Sequence, residues 1–189
     1  MNVFDFDNTI YDGESVLDMF FFYLVRNPWL VKHLGAVLKA FKRYKKGDIS
    51  LAEALERYAP LVEKDILRIV DFDNDPQVFW DGHMRKIKPL YAELRSDDDL
   101  IITASPDFSM EEITKRLGIK HFLASKINKT TGRIEFANLR ENKIKAFMEE
   151  YGNAEIENFY TDSPDNDAVL VERAKHAFEV RGNEVIQIK

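Results

Sequence analysis

The chain opens on an apolar run, Val3-Phe4-Asp5-Phe6-Asp7-Asn8-Thr9, that ends in two carboxylates and a hydroxyl. Val3, Phe4 and Phe6 demand burial, so the run predicts a strand inside a covered sheet. Its acids then fall at the carboxyl edge, where open α/β sheets hold their ligands. Ionised carboxylates beside a core are costly unless something pairs with them. A divalent cation is an economical partner, and an all-oxygen set favours a hard ion such as Mg²⁺. A solvated turn also carries Asp-x-Asp pairs, so the choice between the two rests on the motifs farther along the chain.

Leu100-Ile101-Ile102-Thr103-Ala104-Ser105-Pro106 is a second apolar run, ending in hydroxyls and leading into a helix. Ser105 suits an N-cap and Pro106 the first helical turn, which turns backbone N–H groups toward an anion. An ordinary capped helix explains Ser105 but leaves Thr103 unexplained. Lys143 lies at the start of an amphipathic helix in Arg140-Glu141-Asn142-Lys143-Ile144-Lys145-Ala146-Phe147, with Lys145 as a neighbouring decoy. Phe159-Tyr160-Thr161-Asp162-Ser163-Pro164-Asp165-Asn166-Asp167 is a third strand end, continuing into a loop with three carboxylates. So much negative charge repels itself unless a cation or a lysine sits among it.

Together, and in this order, these motifs resemble the haloacid dehalogenase superfamily of phosphohydrolases, within it the phosphoserine-phosphatase-like branch with a helical cap inserted after the first motif. The resemblance implies a doubly wound, mostly parallel Rossmann-like α/β sheet flanked by helices. It also implies Mg²⁺-dependent hydrolysis of a small phosphorylated metabolite through an aspartyl-phosphate. Asp5 matches the nucleophile, Asp7 the general acid/base and Thr9 the hydroxyl that steadies the first loop. Thr103 and Ala104 match the phosphate-binding segment and Lys143 the phosphate-anchoring lysine. The Mg²⁺ set is then Asp5, the backbone carbonyl of Asp7, and Asp162, supported by Ser163 and by a second acid at Asp167. The family spaces the acids of its last motif four residues apart or, less often, five. Asn166 holds the first of those places and Asp167 the second, so Asp165, Asn166 and Asp167 all stay in contention. The glycine that often shortly precedes the family's lysine is missing.

Glu14 falls where phosphoserine-cleaving relatives grip the substrate amine, and is equally an acid in the first turn of the next helix. Those relatives use a cap arginine for the substrate carboxylate. Arg57 stands one place from that position, which Tyr58 occupies, and one residue of helix rotates a side chain by about 100°. Phosphoserine is therefore one candidate substrate among several.

From Asp12 to His83 the pattern is helical, with Leu30, Leu34, Val37, Leu38 and Phe41 at helix spacing and punctuation at Asn27-Pro28 and Gly47-Asp48. Residues 12–83 are expected to form a helical lid, and 1–11 with 84–189 the catalytic core. Strands are predicted near Val3 to Phe6, Leu100 to Thr103, Phe122 to Ala124, Asn158 to Tyr160 and Ala177 to Val180. A hairpin is predicted from Ser125 to Phe136, around Lys129-Thr130-Thr131-Gly132. Trp29 and Trp80 read as packing residues of the helical block. His33, His83, His121 and His176 sit in no metal-ligand spacing.

Composition bounds the function. A chain of 189 residues, 45% hydrophobic, can bury a core for one α/β domain plus an insertion. A formal net charge of -6 argues against a nucleic-acid binder. The absence of cysteine removes disulfide and thiol chemistry and fits a cytoplasmic setting. Motif residues begin at position 5, which leaves no room for a signal peptide, and Met19 to Val25 is too short to insert stably in a bilayer. Lys32, Lys39, Lys42, Arg43, Lys45 and Lys46 on the helix predicted from Pro28 to Lys46 raise one alternative, weak peripheral membrane contact and a lipid phosphate substrate. A solvated lid face accounts for the same charges. A second alternative is a silent phosphate-binding module of the same fold, although the acid at Asp7 argues against it. The same motifs also serve phosphotransferases.

Overall fold

Five of the seven strands run parallel because helical segments carry the chain back to the same end of the sheet before each new strand begins. The computed structural model describes residues 1–46, 48–49 and 51–189, and within its helices the side chains other than those at 44, 45, 51, 52, 54–56, 58, 59, 61 and 62. Gly47 of the expected Gly47-Asp48 break and the side chains of Lys45 and Tyr58 thus lie outside the described residues.

Strand β1 (Asn2–Phe4) is followed by helices α1 (Ser15–Arg26), α2 (Val31–Lys45), α3 (Leu51–Ile69), α4 (Asp75–His83) and α5 (Pro89–Leu94) before β2 (Leu100–Pro106). The chain continues through α6 (Asp107–Leu117), β3 (His121–Ile127), β4 (Ile134–Phe136), α7 (Glu141–Tyr151), β5 (Asn158–Thr161), α8 (Ala168–Arg173), β6 (His176–Arg181) and β7 (Glu184–Gln187). The strands form one sheet in the order β4-β3-β2-β1-β5-β6-β7. β1 pairs in parallel with both β2 and β5, and only the edge strands β4 and β7 are antiparallel. This is the doubly wound, mostly parallel α/β sheet expected from the motifs. β1 is central and buried on both sides, which is why Val3 and Phe4 are both apolar and sealed from solvent.

The five predicted strands and the β3–β4 hairpin form as read, with small shifts at their ends. The structure adds β7, which the apolar pattern does not signal. Its turn carries Gly182 at φ 61 beside Asn183, a hairpin signal present in the sequence. The expected N-cap at Ser105 is corrected by the structure. β2 continues through Pro106, which pairs with Ser125, and α6 starts at Asp107 with Pro106 as its cap residue. Ser105 lies in the strand because its hydroxyl is committed to Asp7 instead of a helix terminus.

The helical insertion is not uniform in its packing. Phe79 and Trp80 of α4 are buried in one cluster with Phe6, Tyr11, Phe108 and Ile113, and Trp80 Nε1 donates to the Ser109 carbonyl at 2.9 Å. α4 therefore packs with the sheet layer, although it falls within the 12–83 lid segment. α2 meets α3 through His33, whose ring lies 3.0 Å from the Asp65 carboxylate, with Lys32 at 3.5 Å from the same oxygen. No described helix is long and apolar enough to cross a membrane.

α3 also rests on the β3–β4 hairpin. Glu63 accepts a hydrogen bond from the Ile134 amide, and Gly132, at φ 72, has room for no Cβ because the Glu63 carbonyl lies 2.9 Å from where it would stand. Gly132→Ala is expected to cost about 1–3 kcal/mol through backbone conformation and this clash. Chemical denaturation checks it, and an unchanged midpoint would mean that α3 and the hairpin do not press on each other in solution.

Candidate active site

The cleft lies at the carboxyl edge of β1, β2 and β5 and is lined by Asp5, Asp7, Thr103, Lys143 and Asp162, with Asn8, Glu14, Ala104, Leu139, Arg140, Ser163, Asn166 and Asp167 completing its wall. Three strand ends thus converge, as the parallel topology requires. Every catalytic, phosphate-binding and metal residue expected from the sequence reaches this cleft, and so do Glu14, Ser163 and Asp167. Thr9 does not line it. Thr9 is buried in the turn after β1, where its amide donates to the Phe6 carbonyl and its hydroxyl has no hydrogen-bond partner.

Asp5 is held from opposite directions. Its amide donates to the Tyr160 carbonyl of β5, and its carboxylate lies 2.8 Å from Lys143 Nζ. Lys143 also lies 2.8 Å from Asp167, whose other oxygen accepts from the Thr161 hydroxyl at 2.7 Å. Both carboxylate oxygens of Asp167 are therefore engaged, one by the lysine and the other by Thr161. Asp165 is exposed and stands outside the cleft, while Asn166 lines it and donates to Ser163. Lys145, the decoy, is exposed.

One ammonium among several acids leaves an imbalance. Burial alone would lower the Lys143 pKa, but the charges of Asp5 and Asp167 outweigh it and hold the side chain protonated. Asp5 is pushed well above the carboxylate range, by burial first, with the charges of Asp167 and Asp162 acting in the same direction against the pull of Lys143. The site is short of positive charge.

Asp7 is gripped separately. Ser15 at the start of α1 donates its amide to Oδ1 at 2.8 Å, Ser105 donates its hydroxyl to Oδ2 at 3.0 Å, and the two serine hydroxyls are 2.8 Å apart. Burial raises the Asp7 carboxyl to about 6, helped by the charge of Glu14 and opposed by the bonds from Ser15 and Ser105. Glu14 accepts from the Asn8 side chain at 2.8 Å, and Asn8 takes a left-handed φ of 56 that Asn tolerates.

Sequence reasoning misses the supports. It assigns Ser105 to a helix cap and gives Ser15 no part. A signal for Ser105 exists, since strand alternation sets Thr103 and Ser105 on one side. β2 uses two more residues than β3 between Ile102 and Pro106, so Thr103-Ala104-Ser105 bulges out of the ladder at the cleft. Buried Asn138 donates its side-chain amide to the carbonyls of Thr103 and Leu123, tying the loop before α7 to both strands. Buried Lys88 donates to the carbonyls of Asn8 and Gly182 and so braces the first loop from behind.

The residues fit a hard divalent cation. Asp5, Asp7 and Asp162 line one cleft, and two carboxylates with a backbone carbonyl from these three would give an all-oxygen set. Among the described residues no cluster of three or more His, Cys, Asp or Glu side chains is arranged to hold a metal. A set of two carboxylates and one carbonyl does not need such a cluster.

Comparison with curated protein sequences gives no match. Among solved structures, a Bordetella pertussis Tohama I protein of unknown function superposes with a TM-score of 0.73 at 19% identity, covering 94% of this chain and 87% of that one. A phosphoserine phosphohydrolase-like protein from Francisella tularensis subsp. tularensis SCHU S4 gives 0.65 at 20%, covering 94% and 86%. A phosphoserine phosphatase captured as a phospho-aspartyl intermediate analogue gives 0.53 at 17%, covering 93% and 83%. At these identities the likeness is one of fold. The sequence profile of the haloacid dehalogenase-like hydrolases matches residues 3–170, a span that holds all four motifs gathered at the cleft, and the chain belongs to that family.

Proposed function

We propose that the chain is a Mg²⁺-dependent phosphatase that hydrolyses a small phosphomonoester through an aspartyl-phosphate on Asp5. The observation that carries this reading is Lys143, buried between Asp5 and Asp167 at the edge where Asp162 and a separately held Asp7 also stand. A phosphomonoester dianion meeting a carboxylate suffers repulsion of about 4 kcal/mol per charge pair at close range, for an effective dielectric near 20. Lys143 offsets part of it. Asp5, the carbonyl of Asp7 and Asp162 would hold Mg²⁺, which when bound supplies the remaining positive charge at the phosphoryl oxygens.

Asp5 Oδ attacks phosphorus in line, and the bond from phosphorus to the ester oxygen breaks. Asp7 gives its proton to the departing alcohol. Water then attacks phosphorus of the aspartyl-phosphate, Asp7 takes the proton back, and release of phosphate restores Asp5. Thr103 and the backbone at Ala104 line the wall where the phosphoryl oxygens would lie. The helical insertion over the edge is read as the lid that excludes water, and Glu14 as a substrate contact at its base. The cytoplasm is the proposed setting.

Phosphate release from p-nitrophenyl phosphate, with Mg²⁺ and with EDTA, tests the proposal. Turnover that depends on Mg²⁺ is expected, and equal rates in EDTA would reject the metal's part. For alkyl phosphates kcat/KM is expected to fall as pH rises through about 6, because the first step needs Asp7 protonated. Asp7→Asn should remove that limb and slow turnover about 10²- to 10⁴-fold, with phosphoenzyme accumulating in acid-quenched samples.

A further inference from the structure

Among the described residues only Asn8 and Arg140 take positive φ without being glycine, and both line the cleft. For Asn8 the strain is mild. Arg140 is different: at φ 46 and ψ -119 it occupies a region that a side chain with a Cβ rarely enters. It is also the cap residue before α7, three positions ahead of Lys143; its carbonyl accepts from the Lys143 amide at 3.0 Å, and its side chain makes no cap bond that would call for the conformation. Its guanidinium takes part in no ion pair or hydrogen bond with the described residues, and the residue is exposed.

Lys143, the other cation on the cleft wall, is consumed by Asp5 and Asp167. Arg140 is thus the uncommitted positive charge, among the described residues, at a site otherwise rich in acids. Asn138 fixes the loop that presents it, through its bonds to the ends of β2 and β3. Strained backbone that a glycine would relieve persists where the side chain is needed. What an arginine fork recognises is a planar or tetrahedral oxyanion, taken in two parallel bonds.

We propose that Arg140 is a specificity-determining residue that binds a second anionic group of the substrate, so that the preferred substrates are phosphomonoesters carrying a carboxylate or a further phosphate. This rests on the phosphatase reading above. Arg140 is exposed on the wall of the cleft that Lys143 also lines, and so selects by the charge at the far end of a short substrate.

The test compares kcat/KM of the full chain with Mg²⁺ on phenyl phosphate, phospholactate and a hexose bisphosphate, for the wild type, Arg140→Gly and Arg140→Lys. The wild type is expected to favour one or both doubly anionic substrates, and which one identifies the second group. Arg140→Gly should lower that preference relative to phenyl phosphate at least about tenfold, chiefly through KM, while its Tm rises. Arg140→Lys should keep part of the preference without the gain in Tm. An unchanged preference in Arg140→Gly, or no preference in the wild type, overturns the inference while leaving the phosphatase reading intact. Absence of phosphate release from all three substrates overturns that reading first, and this inference with it.

Discussion

Asp5→Asn is expected to abolish phosphate release, lowering kcat by on the order of 10⁴-fold or more, because no other described oxygen replaces the nucleophile on the same strand end. The same change should stabilise the metal-free protein at neutral pH. Asp5 is an acid whose folded pKa is raised, by burial and by Asp167 and Asp162, so its ionisation works against the fold. Linkage gives the sign: that loss is absent at pH below the unfolded carboxylate value and grows as pH rises through the folded one. A neutral amide escapes it. Thermal melts in EDTA should therefore show a higher Tm for Asp5→Asn than for the wild type at about pH 7, with the gap closing toward about pH 4. Added Mg²⁺ should raise the wild-type Tm more than that of the variant. A variant that turns over normally would remove the covalent mechanism, and one that melts lower in EDTA would contradict the charge imbalance at the site.

Lys143→Ala should damage both fold and activity. The lysine is buried and touches two buried carboxylates, so its loss strands Asp5 and Asp167 without a counter-charge, at a cost of about 3–5 kcal/mol for breaking such a pair. Burying the ionised acids is the source of that cost. Asp5, whose folded pKa burial already raises, loses the opposing pull of the lysine, and the destabilisation should be larger at about pH 8 than at about pH 5, where its protonation relieves it. Urea denaturation at the two pH values checks the sign. Phosphate release should fall by about two orders of magnitude or more, since the lysine no longer offsets the charge of the incoming dianion. Lys145→Ala is the control: its side chain is exposed and reaches only Asn142 among the described residues, so neither stability nor rate should move appreciably.

The positions of Asp5, Asp7, Thr103 and Asp162 are legible because each falls at or just beyond a point where periodicity changes. β1 and β2 announce themselves by unbroken apolar runs, and a parallel sheet sends the ends of such runs to one edge. Lys143 is legible only through its order relative to the other motifs, since an amphipathic helix with two nearby lysines does not say which one turns inward. The structure decides: Lys143 is buried and Lys145 exposed. Asp167 can be read as an acid of the right loop but not as the group that clamps the lysine, because that contact joins the end of β5 to α7 between residues far apart in the chain.

The supports of Asp7 are harder still. Ser15 and Ser105 meet over 90 positions, and no local propensity marks two serines as partners. α4 shows the same limit. Its apolar residues announce burial, but the partner that buries them, the cluster around Phe6 and Tyr11, is chosen by the path of the chain.

The order of apolar runs and amphipathic segments determined the doubly wound sheet, and with it the edge where the acids gather, since burial and chain direction are local consequences of residue type. Which groups pair at that edge was settled by the tertiary structure alone: Lys143 between Asp5 and Asp167, two serines on Asp7, and Arg140 in a strained turn without a partner among the described residues. Charge and hydrogen bonding act over a few ångströms of space, and only the folded chain sets those distances.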